Sequence, residues 1–155
     1  PDMEVGTDMP THEDFIRLLI EEGSLKSKNI MMIGLRNMSK NEMLFLKEKK
    51  IRYYSMKFLA SEGKEFVCDE VMSFAKDFDA LYLSIDIDVL DPAFAPGTGY
   101  PEPGGLSTRE LLYFIQRMKN LRNLQLMDLV EVNPRKDLND LTVKTAAKII
   151  AELNQ

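Results

Sequence analysis

The sequence predicts an α/β fold built on a mostly parallel sheet, and three observations carry that expectation. Helical and strand patterns alternate from one end to the other. Two apolar runs, Asn29 to Leu35 (NIMMIGL) and Ala80 to Asp88 (ALYLSIDID), have the composition of buried strands. Amphipathic segments of helical period lie between and after them. At 155 residues, 45% hydrophobic and 29% charged, the chain suits one globular domain, residues 1–155, with a real core rather than a disordered one.

In chain order, Thr11 is placed to cap a helix carrying Phe15, Leu18, Leu19 and Glu22, which Gly23 then ends. The NIMMIGL run follows as a strand, then a helix over Ser39 to Glu48 and an extended stretch from Ile51 to Met56. Glu65 to Phe78 sets Phe66, Val67, Glu70, Val71, Phe74 and Phe78 at helical spacings, directly before the Ala80 to Asp88 strand. Ser107-Thr108-Arg109-Glu110 is a capping box, and Leu111, Leu112, Phe114, Ile115 and Met118 make the core stripe of the helix it opens. Asn123 to Val132 reads as another strand, stopped by Asn133-Pro134. A last helix is expected to bury Val143, Ala146, Ala147, Ile150 and Leu153.

The chemistry is expected at the end of the second apolar run. Strand side chains alternate faces, so Tyr82, Ser84, Asp86 and Asp88 should share one side while Leu81, Leu83, Ile85 and Ile87 share the other. Two neighbouring carboxylates repel, and burying them is costly unless a cation or hydrogen-bond donors compensate. Such hard oxygen ligands suit Mg, Mn or Ca. The bare Asp-x-Asp pattern also occurs as solvated strand ends and in glycosyl- and phosphoryl-transfer sites. The missing Gly-rich phosphate loop speaks against transfer chemistry.

Residues 91–105 (DPAFAPGTGYPEPGG) hold four of the seven prolines and four of the eight glycines, a restricted irregular loop at the carboxyl end of that strand. Ligands of open α/β sheets bind at such ends. Glu131, near the end of the next strand, is either an exposed acid or an anionic handle for a cationic substrate. His12 is the only histidine; near the first turn of a helix its charged form is disfavoured. In a site it could transfer protons near neutral pH.

Composition excludes several partners. The formal charge of -5 argues against nucleic acid and against anionic membrane surfaces. One cysteine, Cys68, excludes an internal disulfide and Cys-based zinc patterns and fits a reducing, cytoplasmic setting. No apolar run approaches the roughly 20 residues of a membrane helix.

Three ordered segments, Ser84-Ile-Asp-Ile-Asp-Val-Leu-Asp-Pro92, Ala95-Pro-Gly-Thr-Gly-Tyr-Pro-Glu-Pro-Gly-Gly-Leu106 and Asp128-Leu-Val-Glu-Val-Asn-Pro134, closely resemble the arginase/agmatinase (ureohydrolase) family. The Pro-Glu-Pro-Gly-Gly wording is more similar to agmatinases. The resemblance implies a three-layer α/β/α fold, truncated on its amino-terminal side, so that residues 1–155 would be the carboxyl-terminal half of a ureohydrolase domain. It implies two Mn ions that activate a hydroxide to attack a guanidinium carbon, releasing urea and an amine, as in polyamine metabolism.

By the same resemblance Asp86 would bridge both metals and Asp88 would bind one. Glu131 would orient the guanidinium of a small cationic substrate, and His12 would pass a proton to the leaving amine, although Glu13 stands where the family has glycine. Pro1-Asp2 is similar to the end of the family's Asp-Ala-His-x-Asp motif, making Asp2 a metal ligand. The family's further histidines have no counterpart here, so the isolated chain is expected to be inactive. A non-catalytic remnant acting in binding or assembly is the alternative. Tyr100 stands where agmatinases more often have threonine. The resemblance also implies homo-oligomers, trimers or hexamers.

Overall fold

The computed structural model describes Thr11, His12 and residues 14–154. The metal-ligand expectation for Asp2 lies outside the described residues. The chain divides into two compact units, one ending at Ser55 and one beginning at Met56.

The first unit holds α1 (Phe15–Glu21), β1 (Met31–Leu35), α2 (Lys40–Glu48) and β2 (Arg52–Ser55). Thr11 does not cap α1. Asp14 occupies that position, and its buried carboxylate accepts hydrogen bonds from the Thr11 N–H at 2.6 Å and the Thr11 hydroxyl at 3.3 Å. A short-range bond to Thr11 and the nearby Arg17 guanidinium, 3.6 Å away, compensate a charge that burial alone would disfavour. Gly23, at φ 80°, ends the helix as expected, because glycine enters the left-handed region without a Cβ clash. Ser39 and Glu42 form a capping box on α2, and β1 and β2 pair in parallel with Met32 opposite Tyr53. Phe45, Leu46 and Ile51 are the buried centre of this unit, with Ile16, Ile20 and Met32 packed around them.

The second unit holds α3 (Met56–Glu62), α4 (Lys64–Ala75), β3 (Leu81–Asp86), α5 (Thr108–Met118), β4 (Leu124–Val130) and α6 (Leu141–Leu153). Met56 opens a helix rather than closing an extended stretch, and α4 stops before Phe78, whose ring packs edge-on against Phe74 at 4.9 Å. The Ser107 capping box forms as expected and α5 buries Leu111, Phe114, Ile115 and Met118. Strands β3 and β4 pair in parallel, with Ser84 opposite Asp128 and Asp86 opposite Val130. The expected alternation holds along β3. Ile85 is buried while Tyr82 and Ser84 are exposed. The exposed face of this sheet continues onto β4, where Leu126 is 67% exposed.

The last helix buries Ala146 as expected but otherwise turns a different face inward. Thr142, Thr145, Ala146, Ile149 and Glu152 point inward, whereas Val143 and Ile150 are exposed. The polar groups are inward because they have partners there. Thr142 Oγ1 accepts the Gly97 N–H at 2.7 Å, and Gln116 donates to Glu152 Oε1 at 2.7 Å. Among the described residues no helix is long and apolar enough to cross a membrane.

Candidate active site

Strand β3 delivers Asp86 to its carboxyl end, and Asp86 then turns the chain. Its Oδ1 accepts the Asp88 N–H at 2.9 Å, and Ile87–Val89 coils into a single turn of 3-10 helix. Asp88 is therefore not on the strand, contrary to the alternation argument. A carboxylate that bonds its own backbone two residues on competes successfully with continuation of the ladder. Both aspartates are half-buried.

Parallel pairing brings the second strand to the same end. Because Val130 lies opposite Asp86, Glu131 follows beside the aspartate turn. Glu131 adopts φ 64°, a left-handed conformation costing a residue with a Cβ about 1 kcal/mol. Local strain of this kind collects at functional sites. Gly99 makes the approach to Glu131 possible, since a Cβ on it would lie 3.2 Å from Glu131 Oε2.

The loop between β3 and α5 is pinned along its length. Asp91 holds both of its ends, with Oδ1 accepting the Ala93 N–H at 2.9 Å and Oδ2 the Gly104 N–H at 2.8 Å. Leu90 and Leu106 form an isolated parallel bridge. Gly105 is packed so closely there that a Cβ would come within 2.5 Å of the Leu90 carbonyl carbon. Further along, the Gly97 carbonyl accepts the Asn133 N–H at 2.7 Å and the Gly99 carbonyl accepts Lys136 Nζ at 3.2 Å.

Asp137 ties this corner to α6. Burial works against its charge, but N–H groups of Thr142, Val143 and Leu138 and the Thr142 hydroxyl outweigh it and lower the carboxyl to about 2. On the sheet face just behind Asp86, Ser84 donates to Asp128 Oδ1 at 2.7 Å and the Tyr82 hydroxyl donates to Oδ2. That bond to Asp128, then burial and the carboxylate's charge, raise the Tyr82 phenol. The sequence alone assigns Asp128 and Asp137 no role in this corner. An Asp followed by Pro-Ala, as at Asp91, is the one local pattern that announces a side-chain-to-backbone turn.

Asp86, Asp88 and Glu131 thus lie toward the same end of the β3–β4 pair. His12 belongs to the other compact unit, where it is exposed in the turn before α1. Asp86 and Asp88 have the donor chemistry of a hard divalent cation. Among the described residues, however, no group of three or more His, Cys, Asp or Glu side chains is placed to hold a metal. The described residues therefore do not close a binuclear metal site, and they support no reaction step through one.

A sequence model of the arginase family matches residues 2–154. The chain belongs to the arginase family. The arginase of Staphylococcus aureus strain COL is 34% identical over 135 residues, covering 86% of this chain and 45% of that protein. The formimidoylglutamase of Bacillus subtilis superposes with a TM-score of 0.91 at 27% identity, over 98% of this chain and 49% of that one. A hypothetical agmatinase from Burkholderia thailandensis superposes at 0.84 and 28% identity, over 98% and 46%. The arginase-like α/β expectation is borne out. The chain spans about half the length of the arginase-family relatives it matches. The names of these relatives differ from one another.

Proposed function

We propose that the full-length protein carrying this chain hydrolyses a small guanidino compound, agmatine or a near relative, to urea and an amine with two Mn ions, and that the 155-residue chain alone is inactive. The observation that supports this reading is the placement of Asp86, Asp88 and Glu131 toward the carboxyl ends of paired parallel strands, with the pinned Pro/Gly loop approaching Glu131 at Gly99, in an arginase-family chain. Bound metal would supply a water acidified enough to attack at neutral pH. Asp86 and Asp88 would contribute ligands, completed by Asp2 and by residues outside this chain.

The carboxylate of Glu131 suits a planar cation with several N–H donors, to which it offers paired acceptors. His12 would pass a proton to the leaving amine, an imidazole being able both to donate and to accept one. A cytoplasmic homo-oligomer, trimeric or hexameric, is the assembly this reading carries.

Mn titration calorimetry beside a urea-release assay with agmatine tests it. The full-length protein is expected to bind Mn and release urea, and the chain alone to do neither well. In the full-length protein Asp86→Ala should abolish both. Glu131→Gln should keep Mn binding but weaken agmatine about 10-fold, the scale of one lost charge-assisted hydrogen bond. Full-length protein that releases no urea from agmatine, arginine or guanidinobutyrate would sink the reading in favour of binding or assembly.

A further inference from the structure

We propose that the cleft between α3, the returning end of the Asp91 to Gly105 loop and the first turn of α5 binds a small zwitterionic amino acid, its carboxylate on Lys64 and its ammonium on Glu110. The site does not involve Asp86, Asp88 or Glu131, so it stands or falls independently of the reaction proposed above. The cleft holds about 130 Å³ and lies wholly within the second unit. Leu59 and Ala60 of α3 and Leu106 of the loop give it aliphatic walls, and Leu59 and Leu106 are themselves buried. Gly104 runs along it without a side chain to fill the space. An apolar cavity of about 150 Å³ binds benzene, so this cleft takes roughly six non-hydrogen atoms.

Two opposite charges line the same cleft. Lys64 Nζ pairs with Glu65 at 2.8 Å and lies 5.6 Å from the centre of the Tyr113 ring, so it is held from two sides. Glu110 is fixed by the capping box, its Oε2 accepting the Ser107 N–H at 2.8 Å and the Ser107 hydroxyl at 2.7 Å. The bond to Glu65 raises the Lys64 ammonium against the opposing effect of burial, and the charges of Glu65 and Glu110 add to the rise. The Ser107 bonds, helped by the charge of Lys64, hold Glu110 below the usual carboxylate range. Both groups are therefore charged at neutral pH and lie close enough to influence each other. Among the described residues they nonetheless form no direct ion pair, since Lys64 takes Glu65 instead.

This charge arrangement selects the guest. A lone carboxylate drawn to Lys64 meets repulsion from Glu65 and Glu110, and a lone ammonium drawn to Glu110 meets repulsion from Lys64. A molecule carrying both charges on neighbouring atoms meets each of these groups with its opposite and adds no net charge. Its short aliphatic side chain then rests on Leu59, Ala60 and Leu106, the usual division of labour in a small-molecule site between apolar walls and a few placed polar groups. Alanine has the size the cleft admits. The two charged groups are ordered before it arrives, which lowers the cost of binding.

The test is a nuclear magnetic resonance titration of the isotope-labelled 155-residue chain with L-alanine and, separately, with propionate and with ethylammonium, each of which carries one of the two charges. L-Alanine is expected to shift the amides of Leu59, Gly104 and Leu106 saturably, and each single-charge probe to bind about 5-fold more weakly, the upper range of an exposed ion pair. Lys64→Met and Glu110→Gln are each expected to weaken L-alanine by a similar factor. Glutamine serves in a capping box as glutamate does, so the second variant keeps α5 capped. Propionate or ethylammonium binding as well as L-alanine would show that one charge alone is read and would overturn the zwitterion assignment. The absence of saturable shifts with L-alanine, or an affinity unchanged in both variants, would remove the site altogether.

Discussion

The loop from Asp91 to Gly105 and the outer face of the β3–β4 sheet begin a few residues apart, yet they are finished in opposite ways. The loop closes on itself: Asp91 grips both ends, and Gly97, Gly99 and Gly105 lie against neighbouring groups. The outer sheet face carries Tyr82, Leu126 and Val130 into solvent. Parallel sheets are normally covered on both sides. The difference teaches that the wall of the candidate site is tied down by its own loop, whereas the outer sheet face is left exposed among the described residues.

The contrast breaks most visibly at the tightest point of the loop. Gly105→Ala should destabilise the second unit by about 3 kcal/mol, because a Cβ there meets backbone that cannot swing aside. Chemical denaturation measures this, and a midpoint equal to wild type would show that the loop yields where it is described as rigid.

A smaller effect is expected at Asp137. Its native carboxyl is lowered to about 2 from an ordinary 3.8, so its contribution is present above about 4 and is lost as the pH falls through about 2. Asp137→Asn should lower the melting temperature at neutral pH and flatten the stability decline across that acid window. A variant with the wild-type acid profile would detach Asp137 from the loop's support.

The outer face should respond least. Leu126→Ser is expected to change stability by under about 0.5 kcal/mol, as surface substitutions do, while reducing self-association in sedimentation. A loss several times larger would mean that the face is covered within the chain and would erase the contrast.

Much of this corner was legible in the residues. The Ala80 to Asp86 alternation, the Ser107–Glu110 capping box and the Pro/Gly loop all follow from local rules, and the chemistry of Asp86, Asp88 and Glu131 singles them out as candidates. Asp88 escaped because Ile87 and Val89 continue an apolar rhythm, and only the Asp86 side chain bonding to the Asp88 N–H ends the strand there. The buried face of α6 escaped for a related reason. A hydrophobicity pattern selects Val143 and Ile150, whereas Thr142 faces inward to receive a backbone N–H from Gly97. Where polar side chains serve distant backbone groups, the sequence holds no periodic trace of the need. The left-handed backbone of Glu131 is similarly silent, since no local pattern asks for it.

The register of β3 against β4 also bears on how this corner is made. Ser84 and its partner Asp128 are 44 positions apart, with the loop and α5 between them. Pairings of that range are rewarded only after the intervening chain has been closed up. On a ribosome the strand bearing Asp86 emerges well before its partner, at a synthesis rate of roughly 5–20 residues per second. For those seconds Asp86 ends a strand with no β4 beside it, so the corner is completed late in synthesis, after α5 has had time to form.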